Sequence, residues 1–286
     1  MEHKKKNRRM RIFILFIIVV CLIPIGQAYY ASVRHRAQQN ELKELVQQED
    51  NSGLPEETKT QGTEISEKMD EAEPQNGEEP EKHGEAEGLE EPEEPSVLTQ
   101  YKDLYEKNSD IAGWLSIEGT VIDYPVMQCE DDEYYLHHDF YGNENQYGCL
   151  YVRGMADVNT PGTNFIIYGH NMKDGSMFGD LDLYRNKEFY LEHSMISFDT
   201  LYEQRSYEIV AVFLSQVYNS DEEVFKYYQF YQADTQEEFD YFYENIKELS
   251  LYDTGVTAEF GDTFLTLSTC AYHVEDGRFV VVARKI

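Results

Sequence analysis

The run "TFLTLSTC" ends in Cys270, and after "AYHVEDG" the run "RFVVVARK" begins with Arg278. A thiolate is a strong nucleophile. A guanidinium beside it could support the thiolate and hold the oxyanion that forms when sulfur attacks an amide carbonyl. If the two runs pair as an antiparallel hairpin, Cys270 and Arg278 stand almost opposite each other at one sheet end. Each residue also has a plainer reading. Free cysteine is among the most buried residue types, and a strand-end Arg278 could pair with Glu275 or Asp276. On these residues alone the two readings balance.

A thiol with its ordinary pKa of about 8.5 is mostly protonated at neutral pH, so a base is needed. His170 closes "NFIIYGH", after a glycine that permits a sharp exit from an apolar strand, and so shares the strand-end placement of Cys270. His273, in the loop after Cys270, is the rival base. The adjacent His137, His138 and Asp139 diverge and make a poor metal site without further ligands, and His193 lies in the loop-like "YLEHSM". Asp221, Glu222 and Glu223 read as a solvated turn. No metal and no cofactor is expected.

These residues need strands to position them. Runs rich in β-branched and aromatic residues recur: "GTVIDYPVMQ", "GCLYVRG", "TNFIIYGH", "SMISFDT", "RSYEIVAVFL", "DTFLTLSTC" and "RFVVVARKI". "SVLTQYKDLYEKNSD" has helical spacing, and "DTQEEFDYFYENIKELSLYDTG" sets Phe239, Phe242, Ile246 and Leu249 on one helix face ending at Gly255. The pattern predicts a mostly β domain over residues 98–286, a mixed but largely antiparallel barrel with a few peripheral helices.

Charge divides the rest of the chain. The net charge of −31 over 286 residues argues against nucleic-acid binding. It is distributed as +6 over residues 1–48, −15 over 49–97 and −22 over 98–286. Residues 1–11 carry Lys4, Lys5, Lys6, Arg8, Arg9 and Arg11 ahead of an apolar run over 12–31, close to the roughly 20 residues that span a bilayer. The basic flank places the N-terminus in the cytoplasm and the body outside, with Tyr29 and Tyr30 in the interfacial belt. A cleaved signal peptide, with Gly26-Gln27-Ala28 as a loose cleavage site, is the alternative. Residues 32–97 read as an extended acidic linker; 49–97 have almost no large apolar side chains, and 32–48 could continue the membrane helix a short way. With Cys21 inside the apolar run, Cys129, Cys149 and Cys270 are exported. One of the three must stay free even if Cys129 and Cys149 pair.

"TLSTC" with "RFVVVARK" downstream and "NFIIYGHNMKDGSMFGDLDLY" upstream closely resembles the sortases, class B in particular. "NSDIAGWLSIEGTVIDYPVMQ", "EDDEYYLHHDF" and the long helix before the last strand pair add to the resemblance, which covers residues 101–286. It implies a sortase-type closed β-barrel and a membrane-bound cysteine transpeptidase on the outer face of a Gram-positive-type envelope. Cys270 would attack the threonine carbonyl of a C-terminal sorting signal, His170 would serve as general acid and then base, and Arg278 would hold the oxyanion. The partners implied are exported proteins bearing Asn-Pro-X-Thr-Asn or Pro-X-Thr-Gly signals, and a peptidoglycan-precursor amine.

The same resemblance assigns Tyr168, Ser268, Thr269 and Leu136 to the substrate groove, Leu136 on the proline side of the signal. Asp132, where the family often has Asn, and "GCLYVRG", where a Phe-Leu-Asp pattern is more usual, depart from it and put the groove's hydrogen bonding in doubt. A sortase that polymerises pilin through a lysine nucleophile, and an inactive surface-binding barrel, are the competing readings.

Overall fold

The structure, a computed structural model, describes residues 22, 23, 25–47 and 96–286. Eight strands build the body: β1 (Ile111–Ser116), β2 (Asp123–Met127), β3 (Leu150–Tyr151), β4 (Asn164–Tyr168), β5 (Met195–Thr200), β6 (Ser206–Gln216), β7 (Phe264–Cys270) and β8 (Gly277–Lys285). They close in the order β1-β2-β3-β4-β7-β8-β6-β5. The β2–β3 and β4–β7 pairs are parallel and the others antiparallel, the mixed barrel that the strand-like runs predict.

Period-2 alternation sorts the side chains into two cores. Phe165 and Ile167 of β4, Leu265 and Leu267 of β7, and Phe279 and Val281 of β8 fill the interior with Leu115, Phe198 and Val212. The alternate set, Phe264 of β7 with Val280 and Val282 of β8, faces outward against α5 (Gln236–Leu249) through Phe239, Phe242 and Ile246. Thr235 caps α5: its hydroxyl accepts from Glu238 N, and the Glu238 carboxylate accepts in return from Thr235 N. The helix stops at Leu249, short of Gly255, and Leu249 is exposed.

The sequence pattern overlooks β1. "IAGW" has little strand character, yet Gly113 belongs there because β5 passes so close that a Cβ would lie 2.1 Å from Asp199 O. The N-terminal helix expected in "SVLTQYKDLYEKNSD" is a short 3₁₀ turn leading into α2 (Lys102–Lys107).

The second difference lies N-terminal to the barrel. Residues 25–47 form one helix, here α1, and residues 32–47 of the expected linker dock on the body through it. His35, Gln39 and Leu42 follow at helical spacing and are buried. Leu42 is fully enclosed with Tyr101, Leu104, Trp114 and Phe140, and Leu45 and Val46 pack beside it. Ser32 donates to Asp174 (3.1 Å), Tyr141 to Glu41 (2.8 Å), and Lys43 pairs with Asp123 (3.2 Å). The apolar stripe is too sparse to announce itself, but the body supplies an aromatic surface to receive it. Leu42→Ala is therefore expected to cost about 2–5 kcal/mol, read as loss of hydrogen-exchange protection along α1; unchanged protection would contradict this docking.

Residues 12–21 and 24 of the expected membrane anchor, and 48–95 of the expected linker, lie outside the described residues. No helix among the described residues is long and apolar enough to cross a membrane. Cys129, Cys149 and Cys270 are all free thiols, so the alternative of a Cys129–Cys149 disulfide does not hold. Burial pushes the Cys149 thiol far up and keeps it protonated.

Candidate active site

The β7–β8 hairpin pairs Cys270 directly with Arg278, as antiparallel register demands. Arg278 makes no ion pair with Glu275 or Asp276. Its Nη1 donates to the carbonyls of Asp276 (3.1 Å) and Gly277 (3.0 Å), which hold the guanidinium at the rim. Its remaining N–H groups have no protein partner among the described residues. Cys270 itself is half-buried, not part of the packed interior.

His170 arrives on the other flank of β7. β4 and β7 run parallel with every pair 100 residues apart, from Asn164↔Phe264 to Tyr168↔Ser268. Gly169 N donates to Ser268 O (3.3 Å) and Asn171 Nδ2 to Cys270 O (2.9 Å), so the same register carries His170 level with Cys270. The three residues thus stand on the ends of three adjacent strands, β4, β7 and β8.

Gly169 is needed for room, not for the sharp exit expected of it. A Cβ there would come within 2.4 Å of Leu150 Cδ2 and 2.8 Å of Phe178, whereas its φ is not in the left-handed region. His170 Nε2 lies 2.8 Å from Leu136 O. A carbonyl only accepts, so Nε2 carries the hydrogen, and Nδ1 is the nitrogen left to exchange protons with reacting groups.

The other histidines have different surroundings. His273 is exposed on the β7–β8 turn with its ring against Gly277. His138 Nδ1 bonds to Tyr134 O (2.7 Å) and the ring stacks on Tyr134, while His193 tilts against Phe189. Asp139 accepts from the backbone of Tyr141 and Asn143 and shapes a turn. His137, given no role from sequence, has its ring 6.5 Å from that of His170.

The residues assigned to the groove divide. Tyr168 and Ser268 sit beside each other on the outward face that also carries Cys270. The Ser268 hydroxyl is 2.7 Å from that of Tyr227, which burial pushes up to about 12 and so keeps protonated. Leu136 is half-buried and reaches the site through the carbonyl that orients His170. Thr269 departs from its expected place in the groove. It points the other way, is buried, and donates to Gly169 O (2.7 Å), fastening β4 to β7 beside His170.

Two residues beside Tyr168 and Ser268 escape the sequence reading. Tyr227, in the aromatic run "KYYQFYQ", is set by Asn164, whose Nδ2 donates to the carbonyls of Tyr227 (3.2 Å) and Phe230 (2.9 Å). Arg153, part of the departure in "GCLYVRG", lies with its guanidinium 5.6 Å from the Tyr168 ring centre. Asp132, the other departure, accepts from Gly154 N (2.8 Å) and stands 3.8 Å from Arg153 Nε. A cluster of aromatic residues in a long β6–β7 connection was the available signal for Tyr227. Nothing in the sequence pattern brings Asp132 and Arg153 together.

Comparison with known proteins finds relatives of this chain. The sortase domain family matches residues 115–286. The chain is 33% identical over 196 residues to sortase B of Listeria monocytogenes, covering 66% of this chain and 75% of that protein. It is 29% identical over 194 residues to sortase B of Staphylococcus aureus, covering 66% and 76%. Among solved structures, sortase B from Bacillus anthracis in complex with AAEK1 superposes with a TM-score of 0.59 at 35% identity, over 66% of this chain and 85% of that one. A Staphylococcus aureus sortase B–substrate complex gives 0.60 at 28%, over 67% and 86%.

Proposed function

Because the chain belongs to the sortase family, class B, and is a cysteine transpeptidase, we propose that it cleaves a C-terminal sorting signal after threonine and transfers the acyl group to a peptidoglycan-precursor amine. The observation that carries this reading is the register placing His170, Cys270 and Arg278 on three neighbouring strand ends.

The Cys270 thiolate adds to the threonine carbonyl, and the Arg278 guanidinium, with N–H groups to spare, receives the oxyanion. His170 then gives a proton from Nδ1 to the leaving amine, and the C–N bond breaks to leave a Cys270 thioester. In the second half the acceptor amine attacks the thioester, gives its proton back to Nδ1, and expels the thiolate. The Leu136 carbonyl keeps the ring oriented for both transfers.

The basic flank and apolar run anchor the chain with its body on the outer membrane face. Since α1 begins inside that apolar run and ends docked on the barrel, the body rides close to the membrane.

The full chain, purified in detergent, is expected to cut Asn-Pro-X-Thr-Asn or Pro-X-Thr-Gly peptides between Thr and the next residue. With an added amine it is expected to yield the corresponding amide, both read by mass spectrometry. Cleavage at another bond, or none in either peptide set, would remove the proposal.

A further inference from the structure

Where α1 meets the barrel decides which way the barrel faces. Ser32, the first residue after the apolar run, donates to Asp174 (3.1 Å). Asp174 stands at the tip of a short hairpin that leaves His170. Phe178 N donates to His170 O (2.9 Å), Asn171 bridges Met177, and Gly175 N donates to Met172 O (3.0 Å). One turn along α1, His35 stacks on Tyr147 with ring centres 4.2 Å apart, and Tyr147 donates to the same Asp174 (3.1 Å).

Farther along the helix Leu42 packs with Met127 and Leu201. β2 and β5 both run opposite to β4 and β7. Met127, which ends β2, and Leu201, which follows β5, therefore lie toward the barrel end remote from Cys270. So α1 enters at the active-site end and runs down the wall away from it. The β7–β8 turn projects from that same end. It closes through Ala271 N to Gly277 O (2.9 Å) and Gly277 N to Val274 O (3.2 Å), and leaves Tyr272 and Val274 78% and 45% exposed.

Resting on the anchoring proposed above, we propose that the active-site end of the barrel faces the bilayer and that the β7–β8 turn seats Tyr272 and Val274 in its interfacial layer. The heights agree. The tips of the 171–177 hairpin and of the β7–β8 turn each stand about three residues past the level of His170 and Cys270, roughly 10 Å. The hairpin tip touches Ser32, where the apolar run stops. Both tips thus reach the headgroup layer, about 5–7 Å deep, and the catalytic rim stands just outside it. Tyrosine suits this layer, with an apolar ring and a polar tip, and the exposed Tyr29 and Tyr30 of α1 lie at the same boundary. Glu275 and Asp276 on the turn and the net −22 of the body oppose deep entry and attraction to anionic lipid, so the contact is apolar and shallow.

The test reads tryptophan emission from the full chain reconstituted in vesicles of phosphatidylglycerol and phosphatidylcholine. The phosphatidylcholine is brominated near the carbonyl end of its acyl chains, and unbrominated vesicles serve as reference. Trp114, the chain's one tryptophan, is 6% exposed and supplies the unquenched baseline. Tyr272→Trp and Val274→Trp, made separately, should each add emission that bromine lowers by about twofold. Phe260→Trp, at an exposed position ahead of β7 and so at the opposite barrel end, should add emission that bromine leaves unchanged. Unquenched emission from both turn variants in a chain that floats with the vesicles would overturn the inference. Quenching at Phe260→Trp that matches theirs would do the same. A chain that fails to float with the vesicles would remove the anchoring itself, and this inference with it.

Discussion

Replacing Cys270 with alanine is expected to lower the turnover of a sorting-signal peptide by on the order of 10⁴-fold or more, to the level of the uncatalysed background. The argument is chemical. Without sulfur there is no atom at the rim to become acylated, and His170 and Arg278 have no intermediate to protonate or stabilise. Serine in its place keeps an oxygen where the sulfur stood, but its hydroxyl loses a proton far less readily than a thiol, so Cys270→Ser should be nearly as inactive. Cys270 ends its strand half-buried, so both variants should keep the parent's circular dichroism. Measurable cleavage after threonine by the alanine variant, above the buffer control, would show that another group attacks the carbonyl.

The second large effect is expected at Arg278. Its Nη1 is held by the carbonyls of Asp276 and Gly277, which leaves the remaining N–H groups for the carbonyl that Cys270 is proposed to attack. Loss of one oxyanion donor costs about 10²–10³ in kcat, and Arg278→Ala should lose at least that much with a smaller change in KM. Arg278→Lys should recover little, since an ammonium has neither the planar fork nor the reach to keep both its backbone contacts and the oxyanion. Steady-state kinetics on one peptide decide the matter. A variant whose loss lay entirely in KM would mean that Arg278 binds the ground state and not the transition state.

How far the site could be read from sequence follows from how far each contact reaches along the chain. The pairing of Cys270 with Arg278 was legible because seven residues separate them and antiparallel register does the rest. The level of His170 was not, since it depends on a parallel β4–β7 pairing between segments 100 residues apart; its strand-end placement made it the candidate base, and the family resemblance assigned its part as general acid and base. Thr269 was assigned to the groove by the family resemblance, but the period of a strand sends it to the face opposite Cys270, and its hydroxyl closes on Gly169. Arg153 and Asp132 meet across a loop contact that no periodicity encodes.

The same holds for the fold. Strands with strong alternation were evident, whereas β1 was hidden by Gly113, a residue that weakens the strand signal and yet is what lets β5 approach. α1 was hidden because its buried stripe consists of His35, Gln39 and Leu42 among charged neighbours. Composition describes a segment, and the surface that receives it lies elsewhere in the chain. Here that surface is built from Tyr101, Trp114 and Phe140, up to about a hundred residues downstream.

The covalent step can be observed on the enzyme itself. Intact mass spectrometry of the full chain, mixed with a sorting-signal peptide and quenched in acid before amine is added, should show one adduct. Its added mass should equal that of the peptide fragment ending in threonine less one water, it should map to Cys270, and it should disappear on addition of an amine as the transfer product forms. An adduct on Cys129 or Cys149, or rapid cleavage with no acyl-enzyme at any quench time and an unmodified Cys270, would contradict a thioester mechanism at this rim.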